Sequence, residues 1–148
     1  MQAQMRATFD ANSTGAALVS YAFVPLLQKS SNPRVIYISS GLGSINQRAD
    51  ANSPYYAVPA LAYRMSKAAL DMLAVHTHAE FKEWGCKVWA LCPGFVITNL
   101  EGEGNQEKMR QMGAISSETS AEFIQQVVRG DRDADVGKFV HRDGVYSW

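Results

Sequence analysis

Several features that mark whole classes of protein are scarce or missing in this sequence. No apolar run reaches the roughly 18 residues that a membrane-spanning helix needs, and no secretory signal pattern opens the chain. Basic and acidic residues are balanced at 14 each, without a basic run, so neither nucleic acid nor a membrane surface is an expected partner. These absences predict a soluble, cytoplasmic protein.

Cysteine and histidine are also sparse, which bears on disulfides and metals. Cys86 and Cys92 lie in what we interpret as one strand, too far apart there to bond to each other. They are therefore expected to be buried free thiols in a reducing compartment. The three histidines have no metal-ligand spacing with the cysteines, so no metal site is expected.

What the chain does contain is enough apolar material for one folded domain over residues 1–148. Apolar residues make up 47% of the sequence and charged residues 19%. Periodicity and turn residues predict, in order, a helix over 4–29 kinked at Pro25, a strand over 34–39, a polar loop over 46–59, a helix over 61–84, a strand over 86–92, a short helix over 106–112, a helix from a Thr119–Glu122 capping box to Gly130, and a strand over 138–141. This order predicts an α/β fold with about three parallel strands flanked by helices.

One pair of residues points to chemistry. Tyr63 and Lys67 lie four residues apart, so on a helix they share one face, one turn from each other. The positive charge of Lys67 favours the phenolate and is expected to lower the Tyr63 pKa from its usual value of about 10. A tyrosine tuned in this way can protonate a developing alkoxide or accept a proton from an alcohol. The same spacing also arises by chance on helices, so the pair needs support from its surroundings.

Four segments give that support. They are Phe-Asp-Ala-Asn-Ser-Thr-Gly at 9–15, Arg-Val-Ile-Tyr-Ile-Ser-Ser-Gly at 34–41, Tyr-Arg-Met-Ser-Lys at 63–67 and Cys-Pro-Gly-Phe-Val-Ile-Thr at 92–98. In this order and at this spacing they resemble the catalytic part of the short-chain dehydrogenase/reductase family, which implies a partial Rossmann-like sheet. Two runs, Gly-Leu-Gly-Ser-Ile and Tyr-Arg-Met-Ser-Lys-Ala-Ala-Leu, are most similar to the branch of small carbonyl reductases related to sniffer and the bacterial C-factor.

The resemblance implies a role for each matched position. Tyr63 would be the general acid/base and would also contact the cofactor, and Lys67 would activate Tyr63 and bind the nicotinamide ribose. Ser40, in preference to Ser39, would hold the substrate carbonyl, because a hydroxyl donor stabilises the charge that builds on oxygen during hydride addition. Asn12 would hold a water that links Lys67 to solvent. The residues implied to line the nicotinamide end of the cofactor are Pro93, Gly94, Val96 and Thr98.

Each of these roles has a plainer alternative. Ser40 could only satisfy backbone groups at the end of its strand, and Asn12 could be structural, although asparagine is a poor helix former. The Pro-Gly pair could merely end a strand, and Thr98 could cap the next segment. Tyr63 is more secure, since it alone of the six tyrosines has a lysine four residues later.

The sequence departs from the family at the cofactor site. Family members open with a strand and a glycine-rich turn that holds the cofactor pyrophosphate at a helix N-terminus. Neither glycine-rich stretch here, 41–43 or 102–104, has that context. We therefore expect the N-terminal nucleotide-binding βαβ units to be missing from a truncated domain, and NADP or NAD to bind poorly. The strand over 34–39 would then lie at an exposed sheet edge.

A second departure is the long segment between Ser40 and Tyr63, which holds the polar loop. It either shapes a substrate pocket with Tyr55 and Tyr56 or, as we favour, is a tolerated surface insertion.

The function implied by the resemblance is NAD(P)-dependent oxidoreduction, in which hydride transfer reduces a small carbonyl compound or oxidises an alcohol. The family's partner interface implies a homodimer through the helices at 4–29 and 61–84. Three alternatives stay open: a non-catalytic remnant that acts by dimerising, a cofactor-independent isomerase or dehydratase that uses Tyr63 and Lys67, and a coding sequence that continues upstream. The substrate and the choice between NAD and NADP are also open.

Overall fold

The sheet has four described strands, and their spatial order follows the chain. The structure, a computed structural model, describes residues 1–100 and 102–148. The strands are β1 (Arg34–Ile38), β2 (Lys87–Leu91), β3 (Phe139–His141) and β4 (Gly144–Tyr146). They lie in the order β1-β2-β3-β4, with the first three parallel and β4 antiparallel to β3. β1 therefore forms one edge of the described sheet.

Helices connect the parallel strands. The described helical elements are α1 (Gln2–Phe9), a π-helical turn (Asp10–Thr14), α2 (Gly15–Leu27), α3 (Ile45–Ala49), α4 (Leu61–Phe81), a 3₁₀ turn (Lys82–Trp84), α5 (Gln106–Gln111), α6 (Ser117–Arg129) and a second 3₁₀ turn (Asp133–Asp135). α1, the π turn and α2 form one rod, because the residues at both junctions keep right-handed helical dihedral angles. The strand–helix order predicted from the sequence is confirmed.

β2 shows why helices cover both faces of the sheet. Its side chains alternate, with Val88 and Ala90 packed in the core on the α4 side and Trp89 and Leu91 in the core on the α6 side. All four are almost completely buried. The sequence of β2 is therefore a continuous apolar run, without the alternation of apolar and polar residues that a half-exposed strand shows. This layered arrangement is the partial Rossmann-like α/β fold expected from the sequence.

Three local predictions need correction. β4 is absent from the prediction because three residues are too few for a periodic signal; it forms by pairing with β3 across a two-residue turn. The N-cap of α6 is Ser116, whose Oγ accepts a hydrogen bond from Thr119 N at 3.2 Å, so the predicted capping box lies one turn too late. The loop predicted over 46–59 overlaps α3, which Ser44 caps.

Three further observations bear on the sequence predictions. No helix in the described part of the chain is both long and apolar enough to cross a bilayer. Cys86 and Cys92 are both free and buried, as expected. No three histidine, cysteine or carboxylate side chains among the described residues are grouped as a metal site would need.

One carboxylate ties β1, β2 and the segment after α6 together. Asp133 accepts hydrogen bonds from Arg34 at 2.5 and 3.0 Å and from Lys87 Nζ at 2.5 Å. Arg34 also donates to Val127 O at 3.2 Å and lies over the Trp89 ring, 5.3 Å from its centre. Hydrogen bonds from the two cations lower the pKa of Asp133 to about 2.

We expect Asp133→Asn to lower the free energy of unfolding by about 1–2 kcal/mol at neutral pH, because two cations lose a partly exposed anion. The folded-state pKa is below the ordinary value of 3.8, so this stabilisation is complete above that value and disappears as the pH falls toward 2. Urea unfolding curves of both proteins across this range measure the difference. Asp143→Asn, at an exposed pair with Arg142, is the matched control and should change little. A difference between Asp133→Asn and wild type that stays constant with pH would contradict this assignment.

Candidate active site

Helix α4 carries a row of polar side chains on the face that packs against the sheet. Tyr63, Lys67 and Asp71 follow one another at four-residue spacing, so they share one face of the helix. The Lys67 ammonium nitrogen lies 5.6 Å from the centre of the Tyr63 ring. The pair singled out in the sequence is therefore present in three dimensions, with a carboxylate added one turn later.

Lys67 is held by β1. The residue is 9% exposed, and its Nζ donates a hydrogen bond to Ile38 O at 2.8 Å. An ammonium group has three hydrogens, so this bond leaves two for other acceptors. Burial lowers the pKa of Lys67, and the negative charge of Asp71 opposes this shift.

Tyr63 and Ser40 meet where β1 ends. Burial raises the pKa of Tyr63, and its interaction with the Ser40 hydroxyl partly opposes the rise. The Tyr63 pKa is therefore raised, mainly by burial, and not lowered by Lys67. The expectation that the lysine lowers it is wrong for this structure. The reason is tertiary, since Lys67 turns to the Ile38 carbonyl while the phenol loses water on packing.

Ser40 can fill both roles considered for it. Its Oγ accepts a hydrogen bond from Leu42 N at 3.2 Å, which satisfies the backbone after the strand. This bond uses the serine oxygen and leaves the hydroxyl hydrogen to donate to Tyr63 or to a ligand. Ser39 is buried and faces Asp71, whereas Ser40 faces Tyr63.

Asn12 lies in the π turn and reaches α4. Its Nδ2 donates to Ser66 Oγ at 3.0 Å, and Ser66 Oγ in turn donates to Tyr63 O at 2.8 Å. The neighbouring Ser13 Oγ donates to Ser66 O at 2.7 Å. Two successive side chains thus anchor one residue of α4, an arrangement that the wider π turn permits and that recurs at functional sites. The structure therefore bonds Asn12 to Ser66 and not directly to Lys67.

The turn after β1 can lie against α4 because two of its residues are glycine. A Cβ on Gly43 would stand 2.7 Å from Asp71 Oδ2 and 2.9 Å from the Lys67 carbonyl carbon. A Cβ on Gly41 would stand 2.5 Å from the Tyr55 ring. Close packing therefore explains both glycines.

The segment after β2 holds the four positions expected at the nicotinamide end. Pro93 and Gly94 come after β2, separated from it by Cys92, and Val96 pairs with Ile115 in an isolated parallel bridge. Thr98 is exposed, and its Oγ1 accepts a hydrogen bond from Leu100 N at 3.2 Å. The loop is thus tied to the chain before α6, while the glycine and threonine stay accessible.

The donors present suit the nicotinamide end of a cofactor. The ends of β1 and β2 are joined by a hydrogen bond from Gly41 N to Cys92 Sγ at 3.2 Å, which places Ser40 and the loop after β2 at the same sheet edge. Ligands of open α/β sheets bind at this carboxyl edge. An ammonium with two remaining hydrogens fits ribose hydroxyl groups, and a phenol and a serine hydroxyl fit a carbonyl oxygen.

A groove of about 720 Å³ runs between α2 and β1. Val19 and Phe23 line it from α2, and Asn12 and Lys67 line its end near the site. Neither Tyr63 nor Ser40 lines it. The groove therefore approaches the site from the lysine side.

Arg64 is a structural residue that sequence reasoning missed. Its buried guanidinium donates to Val58 O at 3.0 Å, to Leu42 O at 3.2 Å and to Tyr55 O. These bonds join the turn after β1 to the segment before α4. Its position directly after Tyr63 was the only available signal in the sequence.

The polar segment before α4 is divided between the site and the surface. The Tyr55 hydroxyl lies 3.1 Å from the Tyr146 hydroxyl of β4, and the Tyr55 ring packs on Gly41. Tyr56 is 44% exposed. Tyr55 thus belongs to the wall of the site, whereas Tyr56 fits the surface insertion favoured from the sequence.

We expect Arg64→Met to destabilise the chain by about 2–4 kcal/mol, because three carbonyl groups lose a shared buried donor. The segment at 46–59 should also become more sensitive to limited proteolysis. Arg48→Met is the matched control: Arg48 is exposed and, among the described residues, bonds to Tyr56 O and lies over the Tyr56 ring, so a change below about 1 kcal/mol is expected. Equal effects of the two substitutions on urea unfolding and on cleavage would argue against an anchoring role for Arg64.

Comparison with known proteins places these features in context. A family model described as short chain dehydrogenase matches residues 1–109. The short-chain dehydrogenase/reductase tropE of Talaromyces stipitatus is 37% identical over 147 residues, which cover 92% of this chain and 55% of tropE. The chain spans about half the length of the curated relatives it matches.

Solved structures show the same fold. An NADPH-bound carbonyl reductase from chicken fatty liver superposes with a TM-score of 0.81 at 29% identity, covering 100% of this chain and 58% of the reductase. Carbonyl reductase Sniffer of Drosophila melanogaster has a TM-score of 0.75 at 22% identity, with 100% of this chain and 58% of Sniffer covered, and shows the shared fold.

Proposed function

Because the chain belongs to the short-chain dehydrogenase family, we propose that it carries the catalytic site of an NAD(P)-dependent oxidoreductase that reduces a small carbonyl compound. The observation that carries this proposal is the meeting of Tyr63 and Ser40 at the end of β1, beside the buried Lys67. A neutral phenol and a hydroxyl whose oxygen is already bonded can both donate to one carbonyl oxygen.

The proposed roles follow from the charge that develops on that oxygen. Ser40 stabilises the growing negative charge with the hydroxyl hydrogen that its bond from Leu42 N leaves free. Tyr63 Oη then gives its proton to the oxygen and completes the alcohol. Since burial raises the pKa of Tyr63, the phenol keeps its proton at neutral pH. This state favours reduction, because alcohol oxidation requires the phenolate as the base.

NADPH or NADH, when bound, supplies the hydride that goes to the carbonyl carbon. Lys67 would hold the ribose with the two ammonium hydrogens not given to Ile38 O. Asn12 lines the groove together with Lys67, which supports a role in holding a water between the lysine and solvent. NADPH is bound in the chicken carbonyl reductase, which supports NADP as the cofactor. The residues proposed to line the nicotinamide are Pro93, Gly94, Val96 and Thr98.

We expect Tyr63→Phe to lower kcat for the NADPH-dependent reduction of a panel of small aldehydes and ketones by about 10²–10⁴-fold, because it removes the proton donor. The affinity for NADPH, measured by fluorescence titration, should change little, since Lys67 and the loop after β2 stay in place. Tyr56→Phe is the matched control and should keep the wild-type kcat, because Tyr56 lies on the surface.

Three results would contradict the proposal in different ways. Unchanged turnover by Tyr63→Phe would remove Tyr63 from the chemistry. Turnover without added nucleotide would favour the isomerase or dehydratase alternative. An absence of saturable NADPH binding by the wild-type chain would contradict the cofactor assignment.

We also infer that two copies of the chain associate through α1, α2 and α4. The support is the apolar side chain exposed on the outside of these helices, namely Leu18 and Leu26 on α2 and Met65 and Met72 on α4. Apolar patches of this kind on a folded protein mark interaction surfaces. The two helices lie side by side, because Tyr21 on α2 donates to Glu80 on α4 at 2.6 Å.

We expect Leu18→Glu to weaken self-association about tenfold or more, because it places a charge in an apolar interface. Sedimentation velocity over a range of protein concentrations measures the change. Met112→Glu is the matched control: Met112 is 62% exposed against 69% for Leu18, but it lies outside the three helices and should leave association unchanged. A wild-type chain that stays monomeric at all concentrations would contradict the proposed dimer.

A further inference from the structure

Asp71 is a buried carboxylate that the proposed chemistry leaves without a role. It is 5% exposed and lies one helical turn after Lys67 on the inner face of α4. Within the described part of the chain, no group meets either of its carboxylate oxygens at full hydrogen-bonding geometry; the Ser39 hydroxyl faces Asp71 and only partly offsets the effect of burial. Burying a carboxylate without partners is costly, so its retention calls for a physical reason.

The groups that face Asp71 come from three elements. Lys67 faces it from α4, Ser39 from the end of β1, and Cys92 from the end of β2. Burial raises the pKa of the Cys92 thiol, so this group stays neutral. From the turn after β1, Gly43 faces Asp71, and a Cβ at this position would collide with the Asp71 carboxylate.

The remaining side of Asp71 borders a cavity of about 80 Å³. The other side chains that line it are uncharged, namely Ile45, Ala68, Met72, Val75 and Trp148. Among the described residues, Lys67 is thus the one charged group that faces the Asp71 carboxylate.

Lys67 is the matching case, a buried cation. Its ammonium is buried, and its hydrogen bond goes to the Ile38 carbonyl, which is a dipole and not a charge. Burial disfavours the charged form of a lysine, so a buried ammonium requires compensation. Among the neighbouring groups, Asp71 does most to raise the pKa of Lys67 against the effect of burial.

We propose that Asp71 is a positioning residue whose carboxylate is the counter-charge that keeps the buried Lys67 side chain an ammonium ion. Only in that form can Lys67 donate to the Ile38 carbonyl while keeping two hydrogens for a ribose. The consequence for catalysis rests on the proposed function, whereas the effect on Lys67 does not.

Asp71 affects the charge of Lys67 at neutral to alkaline pH. Burial raises the pKa of Asp71 to about 7, against the opposing influence of Ser39 and Lys67. Below this pH the carboxyl is neutral, and the lysine is charged in any case because protons are abundant. Above it the carboxylate is charged and raises the pKa of Lys67. Without Asp71, the lysine therefore loses its proton at a lower pH.

The test is competitive acylation of the full chain with acetic anhydride across the alkaline range, with each lysine quantified by mass spectrometry. The midpoint of the Lys67 profile reports its pKa, and the plateau reports its accessibility. Asp71→Asn should lower the midpoint by about one unit or more, so that Lys67 reacts roughly tenfold faster below it, with an unchanged plateau. The exposed Lys29 and Lys82 serve as internal references.

Glu80→Gln is the matched control, since Glu80 is an exposed carboxylate farther along the same helix and should leave the Lys67 midpoint unchanged. An unshifted Lys67 midpoint in Asp71→Asn would overturn the proposal. So would a raised plateau at an unchanged midpoint, which is the result that a merely structural role produces.

A second measurement does not depend on a variant that folds. The carboxyl ¹³C signal of Asp71 in the wild-type chain should titrate with a midpoint near 7, as its buried position requires. The Lys67 ¹³Cε signal should respond over the same pH range, and a Lys67 signal that stays constant while Asp71 titrates would overturn the pairing.

The catalytic consequence is separable from the pairing. If the chain reduces carbonyl compounds, the alkaline limb of the pH profile of kcat/KM should move to lower pH in Asp71→Asn by the same amount as the Lys67 midpoint. An unshifted limb together with a shifted midpoint would overturn the catalytic part. A chain without activity would contradict the proposed function, and the acylation profile would still decide the pairing.

Discussion

Close contact between the turn after β1 and helix α4 is the constraint on which the site depends. Gly43 brings the turn so near to Lys67 and Asp71 that any side chain would collide with them. This approach places Ser40 beside Tyr63 and brings the Ile38 carbonyl within 2.8 Å of the Lys67 ammonium. The C-terminal segment holds the same turn from the other end, since Ser44 Oγ donates to Ser147 O at 2.7 Å and Asn46 N to Trp148 O at 3.1 Å. Helix α4 and the C-terminal segment, which are distant in sequence, thus hold the turn after β1 in place.

Two buried cations on α4 meet this constraint in different ways. Arg64 binds three carbonyl groups and stays charged at any accessible pH, so it is suited to a fixed structural role. Lys67 binds one carbonyl and faces one carboxylate, and a lysine readily changes its pKa on burial. The arginine therefore anchors the segments around the site, while the lysine keeps hydrogens and a tunable charge for a ligand.

The sequence predicts those features that depend on local geometry. Helix spacing alone places Tyr63 and Lys67 on one face, the apolar run of β2 predicts a strand covered on both sides, and the four motifs predict the family that the family model confirms. The sequence does not predict contacts between distant segments, such as the one between the Tyr55 and Tyr146 hydroxyls, which lie 91 residues apart. The direction of the Tyr63 pKa shift belongs to the same class, because desolvation is set by the packing of the whole fold.

The arrangement also separates the two sides from which protons and substrate would reach Tyr63. Ser40, which would bind the carbonyl oxygen, lies at the carboxyl end of β1, whereas Asn12 and Lys67 open onto the groove between α2 and β1. Neither Ser40 nor Tyr63 lines that groove. A proton given up by Tyr63 would therefore be replaced from the lysine side, without passing through the space where the carbonyl binds. The π turn matters here because it fixes Asn12 against Ser66, which leaves the amide oxygen of Asn12 as the group able to accept a hydrogen bond in the groove.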